Sequence, residues 1–215
     1  AFDKGERFYA PTYYGFSSFV YRTDLTDITP ETESWSLFFD EEYAGRMAMW
    51  DSTDAVVPVA SLAAGIEGDP YTPDGDDLVK VEELLRKQRD LVRFYWNEQT
   101  SALQAITSGE VVLSFAWSAA IPPLTESGIP FKWAQPKEGL ISYVCGLARA
   151  NREGTDEELV YDFINANMSA EAGKFMIEAY ALGSANKNAY DLVDPETLVR
   201  NGLETPEASL AGSHT

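Results

Sequence analysis

The two residue types that build most soft-metal sites and many nucleophilic enzymes are almost absent from this sequence. It contains one cysteine, Cys145, and one histidine, His214. A single cysteine permits no internal disulfide, and one residue of each type cannot supply the ligands of a zinc site. A Ser-His-Asp or Cys-His apparatus would depend on His214, which lies in "AGSHT", a stretch that resembles a frayed tail. We therefore expect no metal, no cofactor and no nucleophilic catalysis.

Basic residues and long apolar runs are scarce as well. Lys and Arg total 16 against 35 Asp and Glu, a formal charge of −19. Such a surface repels phosphate backbones, which excludes nucleic acid as a partner; it could favour a cationic ligand or simply serve solubility or a salty habitat. No apolar run approaches the ~18 to 20 residues of a membrane helix. The opening "AFDKGERFY" lacks the features of a signal peptide, which indicates a cytoplasmic protein or a mature or trimmed form.

The remaining composition is that of a folded chain, with 45% hydrophobic and 13% aromatic residues. Strand-like and helix-like segments alternate, which predicts an α/β fold. Gly109 is expected to end one helix, and Pro58 is expected within a first turn, so that its helix begins near Val56. The predicted strands are 17–25, 46–51, 111–117 and 139–148, and the predicted helices are 29–46, 52–65, 77–95, 100–110, 155–169 and 169–181.

Carboxylates and aromatic side chains are the chemistry that remains, and they suit glycoside hydrolysis or recognition of a cationic or polyhydroxylated ligand. Asp51 closes a strand in "WDSTD", and Asp54 follows at the start of a helix. Strand ends beside helix N-termini are where open α/β sheets bind ligands. Asp54 could instead cap the helix, as could Ser52. Trp117 ends another strand and is either a flat wall for a ligand or a core aromatic.

Cys145 lies in "GLISYVCGLARA", which reads as a buried strand. The residue could be a working thiol, a ligand contact or a small hydrophobic filler, a common role of free cysteine. Tyr143 and Cys145 are two positions apart, so they share one face of the strand. Either both of them contact a ligand or neither does.

Four segments in order resemble the periplasmic substrate-binding proteins of polyamine (spermidine/putrescine) ABC importers. They are "SWSLFFDEEYAGRMAMWDSTDAV", "SGEVVLSFAWSAA", "WAQPKEGLISYVCGLA" and "ELVYDFINANMSAEAGKFMIEAYALGSANKNA", and the match runs from about Tyr9 to about Asn201. The resemblance implies a type II solute-binding fold, in which two α/β lobes hold a ligand between them.

The same resemblance implies how the chain divides. Residues 1–12 would be a hinge or first-lobe remnant, residues 13–145 the complete second α/β lobe, and residues 146–215 the return segment and helices of an incomplete first lobe. Family members carry a first-lobe segment before the position that matches Ala1. We therefore expect a truncated or cleaved product, or one piece of the mature protein, which could self-associate.

The resemblance also implies ligand contacts. Asp51 and Asp54 would bind ammonium groups, and Trp117, Tyr143 and Tyr14 would line the ligand. Cys145 stands where the family has an amine-pairing aspartate, and Leu182 stands where it has a tyrosine. Losing such anchors suggests a ligand with one cationic end, or one that is not a polyamine.

The resulting expectation is a periplasmic solute-binding protein, not an enzyme. It would capture a small, cationic, polyamine-like or single-amine solute and deliver it to an ABC permease at the inner membrane. One alternative is a carboxylate-dependent hydrolase that uses Asp51 and Asp54, although carboxylates three residues apart on one element rarely straddle a scissile bond. Another alternative is a protein-interaction domain, which an exposed apolar patch would favour.

Overall fold

The computed structural model describes residues 2–3, 6–204 and 206–215. The chain forms two compact units. The first unit comprises Ala1–Phe16, Ser142–Ala211 and Thr215, and the second unit comprises Ser17–Ile141 and Gly212–His214. The lobe boundaries predicted from the sequence, after residues 12 and 145, remain predictions.

Strands and helices alternate along most of the chain. The strands are β1 (Phe2–Asp3), β2 (Glu6–Arg7), β3 (Ala10–Arg22), β4 (Met47–Trp50), β5 (Phe94–Trp96), β6 (Leu113–Trp117), β7 (Phe131–Trp133), β8 (Leu140–Leu147), β9 (Gly183–Ser184) and β10 (Ser213–His214). The α-helices are α1 (Thr53–Ala63), α2 (Gly75–Leu91), α3 (Gln99–Ser108), α4 (Ile121–Ser127), α5 (Glu157–Asn167), α6 (Ala170–Tyr180), α7 (Pro195–Asn201) and α8 (Pro206–Ala211). Among the described residues, no helix combines the length and the apolar character needed to cross a membrane.

A mixed sheet organises the second unit. β4 lies between β5 and β6 and is parallel to both, while β6 pairs antiparallel with the part of β3 that begins at Ser17. Aromatic side chains fill the core beneath these strands, with the ring of Trp35 5.6 Å from that of Phe19 and 6.0 Å from that of Phe115. Parallel strands place their carboxyl ends at one edge, and this edge carries the candidate site of the unit.

Two helix predictions in this unit are wrong in extent or type. The predicted helix 29–46 is instead two 3-10 turns, Trp35–Phe39 and Glu41–Tyr43, because Asp40 between them has extended backbone angles. In place of the predicted helix 77–95, α2 ends at Leu91. The last residues of the predicted range, Phe94 and Tyr95, belong to β5 beside β4. Aromatic residues pair well in sheets, and this tertiary pairing overrides the helical period.

The start of α1 is also corrected. The helix begins at Thr53 rather than near Val56, and Pro58 lies inside it. Proline cannot donate to the carbonyl four residues earlier, which is that of Asp54 in the first turn. Asp54 is exposed, so water can take the place of this hydrogen bond. In contrast, the predicted end of α3 is confirmed, since Gly109 caps it with a left-handed φ of 78°.

The C-terminal residues do not form the frayed tail expected from "AGSHT". Ser213 and His214 form β10, which pairs parallel with the start of β8. A ring nitrogen of His214 lies 2.7 Å from the carbonyl oxygen of Glu138. Sequence composition did not reveal this because the pairing joins residues about 75 positions apart along the chain.

The first unit combines part of β3 with helices. Tyr13 and Tyr14 of β3 pair with Ser184 and Gly183 of β9. Its core is small, and no residue of α5 is buried. Several large apolar side chains of α5 and α6 are exposed; they are Leu159, Tyr161, Phe163, Phe175 and Tyr180.

A buried carboxylate ties separate segments of the second unit together. The Glu33 residue is 1% exposed, and its side chain accepts a hydrogen bond from the Tyr21 hydroxyl at 2.9 Å. The Lys132 ammonium lies 3.2 Å from the same carboxylate, and the backbone N–H of Gln135 donates to its other oxygen. A buried charge is tolerated only when it is paired and hydrogen-bonded, and Glu33 meets both conditions.

We predict that Glu33→Gln lowers the free energy of unfolding by about 2 to 4 kcal/mol. The glutamine side chain carries no charge to pair with Lys132, and its NH₂ group would point at groups that are themselves hydrogen-bond donors. Urea denaturation measures this change. Glu42→Gln, an exposed glutamate of the same unit, is the control and should change stability by less than about 0.5 kcal/mol. Equal denaturation midpoints for the two variants would contradict the importance of this carboxylate.

Candidate functional site

Each of the three parallel strands in the second unit ends in a tryptophan. β4 ends at Trp50, β5 at Trp96 and β6 at Trp117, and Trp50 is paired directly with Trp96. The ring of Trp117 lies 5.0 Å from that of Trp50 and 5.2 Å from that of Trp96, both edge-on. Such T-shaped contacts are favourable for aromatic rings. We call these three residues the tryptophan edge.

Two buried polar groups, one in the tryptophan edge and one directly after Trp117, have no hydrogen-bond partner in the part of the chain that the structure describes. Trp50 and Trp117 are partly exposed, whereas Trp96 is 2% exposed. The Nε1–H of Trp96 and the hydroxyl of Ser118 are buried without a hydrogen-bond partner among the described residues. An unsatisfied buried polar group costs about 1 to 3 kcal/mol, so such groups call for a water or a ligand.

Asp51 lies at the same edge, immediately after β4. Its backbone N–H donates to the carbonyl of Trp96 at 2.9 Å, which fixes the residue beside the tryptophan edge. Its side chain is exposed and forms no ion pair with any described cation. The pKa of Tyr95 is raised by burial first and by the charge of Asp51 second, so the carboxylate acts on the rings around it.

Asp54 does not cap α1. The cap is Ser52, whose hydroxyl oxygen accepts a hydrogen bond from the Asp54 N–H at 3.3 Å. The Asp54 carboxylate is therefore an exposed negative charge in the first turn, where the helix dipole stabilises it. Burial, followed by the charges of Asp54 and Asp69, raises the pKa of Tyr71.

Cys145 and Tyr143 face β3 within the first unit. Hydrogen bonding to the Cys145 side chain, together with burial, raises the pKa of Tyr13 to about 12. The ring of Tyr143 lies directly against Gly15. A Cβ atom added at Gly15 would be 2.5 Å from the Tyr143 ring carbon that bears the hydroxyl and 2.7 Å from the Leu182 side chain, so no larger residue fits there without a shift. Tyr13 and Gly15 share one face of β3, as Tyr143 and Cys145 share one face of β8. Cys145 itself is partly buried.

Tyr14 belongs to a different group of side chains. It lies between Tyr13 and Gly15 in β3 and therefore projects from the opposite face of the strand. The Tyr14 residue is 6% exposed, and its hydroxyl is 2.9 Å from that of Tyr190. Leu182, the residue that stands where the family has a tyrosine, is buried as well, at 7% exposure.

The predicted site residues are thus divided equally between the units. The second unit holds Asp51, Asp54 and Trp117, and the first unit holds Tyr14, Tyr143 and Cys145.

The sequence reasoning missed four residues, Trp50, Trp96, Tyr13 and Gln99. The side-chain oxygen of Gln99 accepts a hydrogen bond from the backbone N–H of Trp117 at 2.8 Å. A signal was present: "MAMWD", "FYWN" and "LSFAWS" each place a tryptophan before a polar residue at a strand end.

Comparison with known proteins adds a family match. A model described as "Bacterial extracellular solute-binding protein" matches residues 2–202. The chain is 27% identical over 165 residues to the spermidine/putrescine-binding periplasmic protein 1 of Haemophilus influenzae, covering 74% of this chain and 44% of that protein. It is 25% identical to the spermidine/putrescine-binding periplasmic protein of Salmonella typhimurium, with 91% and 54% covered. The chain therefore spans about half the length of the curated relatives it matches.

Solved structures share the fold. A putative spermidine/putrescine ABC transporter protein from Listeria monocytogenes superposes with a TM-score of 0.82 at 15% identity, covering 99% of this chain and 64% of that chain. The periplasmic binding protein MotA of Agrobacterium tumefaciens B6, in complex with glucopine, gives a TM-score of 0.79 at 19% identity, with 99% and 67% covered. The predicted α/β fold of the type II periplasmic-binding-protein class is confirmed.

The contact between Tyr13 and Cys145 generates a test. We predict that Cys145→Ala lowers the pKa of Tyr13 from about 12 toward the ordinary 10.0, because the hydrogen bond is lost. Ultraviolet difference titration of each variant against its Tyr13→Phe counterpart isolates this tyrosine. Since the folded pKa is raised, the interaction stabilises the fold fully below pH 10.0 and is lost as pH rises to about 12. Cys145→Ser, which keeps a hydrogen-bonding group, is the control; identical titrations of wild type and Cys145→Ala would refute the contact.

Proposed function

Because the chain belongs to the bacterial extracellular solute-binding proteins, we propose that it binds a small cationic solute for delivery to the permease of an ABC importer. The observation that carries this proposal is the tryptophan edge beside Asp51. At the carboxyl ends of three parallel strands, the Asp51 carboxylate, which forms no ion pair with a described cation, lies beside the partly exposed rings of Trp50 and Trp117 and the Trp96 Nε1–H, which has no hydrogen-bond partner among the described residues. Ligands of open α/β sheets bind at such edges.

A positive charge on the solute is supported by the chemistry of this edge. Ammonium groups bind to the faces of tryptophan rings with ~0.5 to 2 kcal/mol, more when water is excluded. Asp51 adds a charge-assisted hydrogen bond. The formal charge of −19 attracts cations from a distance and repels anions, which favours the same ligand class.

Contacts from the first unit are part of the proposal. We propose that Asp54 and Trp117 contribute to solute binding beside Asp51, and that Tyr143 and Cys145 of the first unit also contact the solute. Cys145 lacks the carboxylate that an aspartate would place there, so a solute with one cationic end fits these residues better than a long polyamine.

The names of related proteins support the proposal at different levels. Two relatives are named for spermidine and putrescine, whereas the MotA structure of the same fold contains glucopine. A shared fold does not fix the ligand, so the side chains must decide it. We propose a periplasmic location and a membrane permease as partner from the relatives' names and the family. The family is one of binding proteins, so a hydrolase built on Asp51 and Asp54 is not proposed.

The role of Asp51 can be tested by calorimetry with putrescine, spermidine and simple monoamines. We predict that Asp51→Asn weakens binding of the preferred amine by about 2 to 5 kcal/mol, because a desolvated ammonium loses its paired charge. Asp76→Asn, an exposed aspartate in the first turn of α2, is the control and should leave affinity unchanged. Equal affinity of wild type and Asp51→Asn would count against the proposed site.

Cys145 allows the opposite test, a gain of binding. We predict that Cys145→Asp strengthens putrescine binding by about 1 to 3 kcal/mol, since it adds a carboxylate beside Tyr143 that must also be desolvated. Cys145→Asn is the matched neutral control and should give little gain. A folded Cys145→Asp protein with unchanged putrescine affinity would show that this strand face does not contact the solute.

A further inference from the structure

A pocket lies within the first unit, on the face of β3 opposite to the one that Tyr143 and Cys145 contact. It has a volume of about 380 Å³ and is lined by Tyr14, Tyr190, Leu198, Lys187 and Glu207, among others. This volume is at the lower end of the range of small-ligand pockets, ~300 to 1,000 Å³. We propose that this pocket binds a small primary amine with an apolar body, separately from the tryptophan edge.

The floor of the pocket presents a hydrogen-bond acceptor. The Tyr190 hydroxyl accepts from the Ser184 N–H at 3.1 Å and donates to the Ser184 carbonyl at 3.3 Å. The Tyr14 hydroxyl, 2.9 Å from that of Tyr190, is then the donor of that contact. Its own oxygen keeps lone pairs that can accept a proton donor from a ligand. Burial, as the largest cause, raises the pKa of both tyrosines, so the floor stays uncharged.

The position of Tyr14 is fixed by the backbone of β9. Tyr14 pairs with Gly183, and a Cβ at Gly183 would collide with the Tyr14 ring. The ring therefore lies directly over the glycine, and Ala185 and Leu198 add apolar walls. A ring held in this way needs no reordering when a ligand binds, which favours affinity.

The charged groups at the pocket favour a cation. Two carboxylates, Glu204 and Glu207, face one ammonium, Lys187. Glu207 lines the same pocket as Tyr14 and Tyr190. Its charge adds, after burial as the largest cause, to the raised pKa of both tyrosines. Glu204 and Glu207 are hydrogen-bond acceptors, and the Tyr14 hydroxyl oxygen can accept as well. A ligand that fits this pocket therefore donates hydrogen bonds and carries a positive charge.

Lys187 is positioned to compete with such a ligand. Its ammonium lies 2.8 Å from the Glu207 carboxylate, and the two side chains are 87% and 73% exposed. Exposed pairs of this kind contribute little to stability, so the lysine can leave at small cost. An incoming amine would replace Lys187 on Glu207, place its remaining donors toward Tyr14 and lay its apolar body against Leu198.

The experiment uses phenethylamine as the probe and 2-phenylethanol, its neutral analogue, as the comparison ligand, measured by calorimetry and saturation-transfer NMR. Phenethylamine should bind and the alcohol should not bind measurably. Glu207→Gln should weaken phenethylamine binding about ten-fold or more, whereas Lys187→Ala should tighten it by about two- to five-fold. Lys174→Ala, which breaks an exposed pair with Glu178 outside this pocket, is the matched control and should change nothing.

Two further variants keep this site distinct from the solute site. Ala185→Phe, at an exposed position of the lining, should fill the pocket and abolish binding without unfolding the protein. Because the proposed solute site also accepts monoamines, every comparison is repeated in the Asp51→Asn background, where phenethylamine binding at this pocket should be unchanged although solute binding is weakened. The proposal is overturned if phenethylamine does not bind, if the alcohol binds equally well, if Lys187→Ala fails to tighten binding, or if only Asp51→Asn removes it.

Discussion

Glu33 constrains the second unit more than any surface contact does, because its carboxylate is almost completely buried and must keep every partner. Removing a charge from water costs several kcal/mol, and only the combined bonds from Tyr21, Lys132 and the Gln135 N–H offset this. These partners come from β3, from β7 and from the segment that leads into β8. Glu138 in that segment accepts in return from the backbone N–H of Trp35 at 3.2 Å. The two carboxylates therefore anchor the segment that leads into β8 within the second unit.

The tryptophan edge shows how register builds a site from residues far apart in sequence. Trp50 and Trp96 are directly paired, and β6 lies parallel to β4 on its other side. Because the three strands run in one direction, their last residues meet at a single edge. The indole Nε1–H of Trp96 is buried with no hydrogen-bond partner among the described residues, and Asp51 follows Trp50 directly in the chain. Sheet geometry therefore brings aromatic surface, this donor and the exposed Asp51 carboxylate to one edge.

The two strand faces of β3 separate two kinds of chemistry in the first unit. Tyr13 and Gly15 meet Cys145 and Tyr143 on one face, while Tyr14 meets Tyr190 on the other. The alternation of a strand makes this separation unavoidable for neighbouring residues. That Tyr14 and Tyr143 line one ligand stays a prediction from the sequence resemblance; in the structure Tyr14 contacts Tyr190, and Tyr143 covers Gly15. The ligand class of each site then depends on its own charges.

The sequence by itself determined the α/β alternation, the helix end at Gly109, the position of Asp51 at a strand end and the family motifs. These follow from local period, turn chemistry and composition, which neighbouring residues carry. Only the tertiary structure decided that residues 94–96 form β5, that Ser52 rather than Asp54 caps α1, and that His214 joins a strand. It alone brought Trp50, Trp96 and Trp117 together and paired Tyr14 with Tyr190. The physical reason is that strand pairing and side-chain packing join residues distant along the chain, and such contacts override local preference.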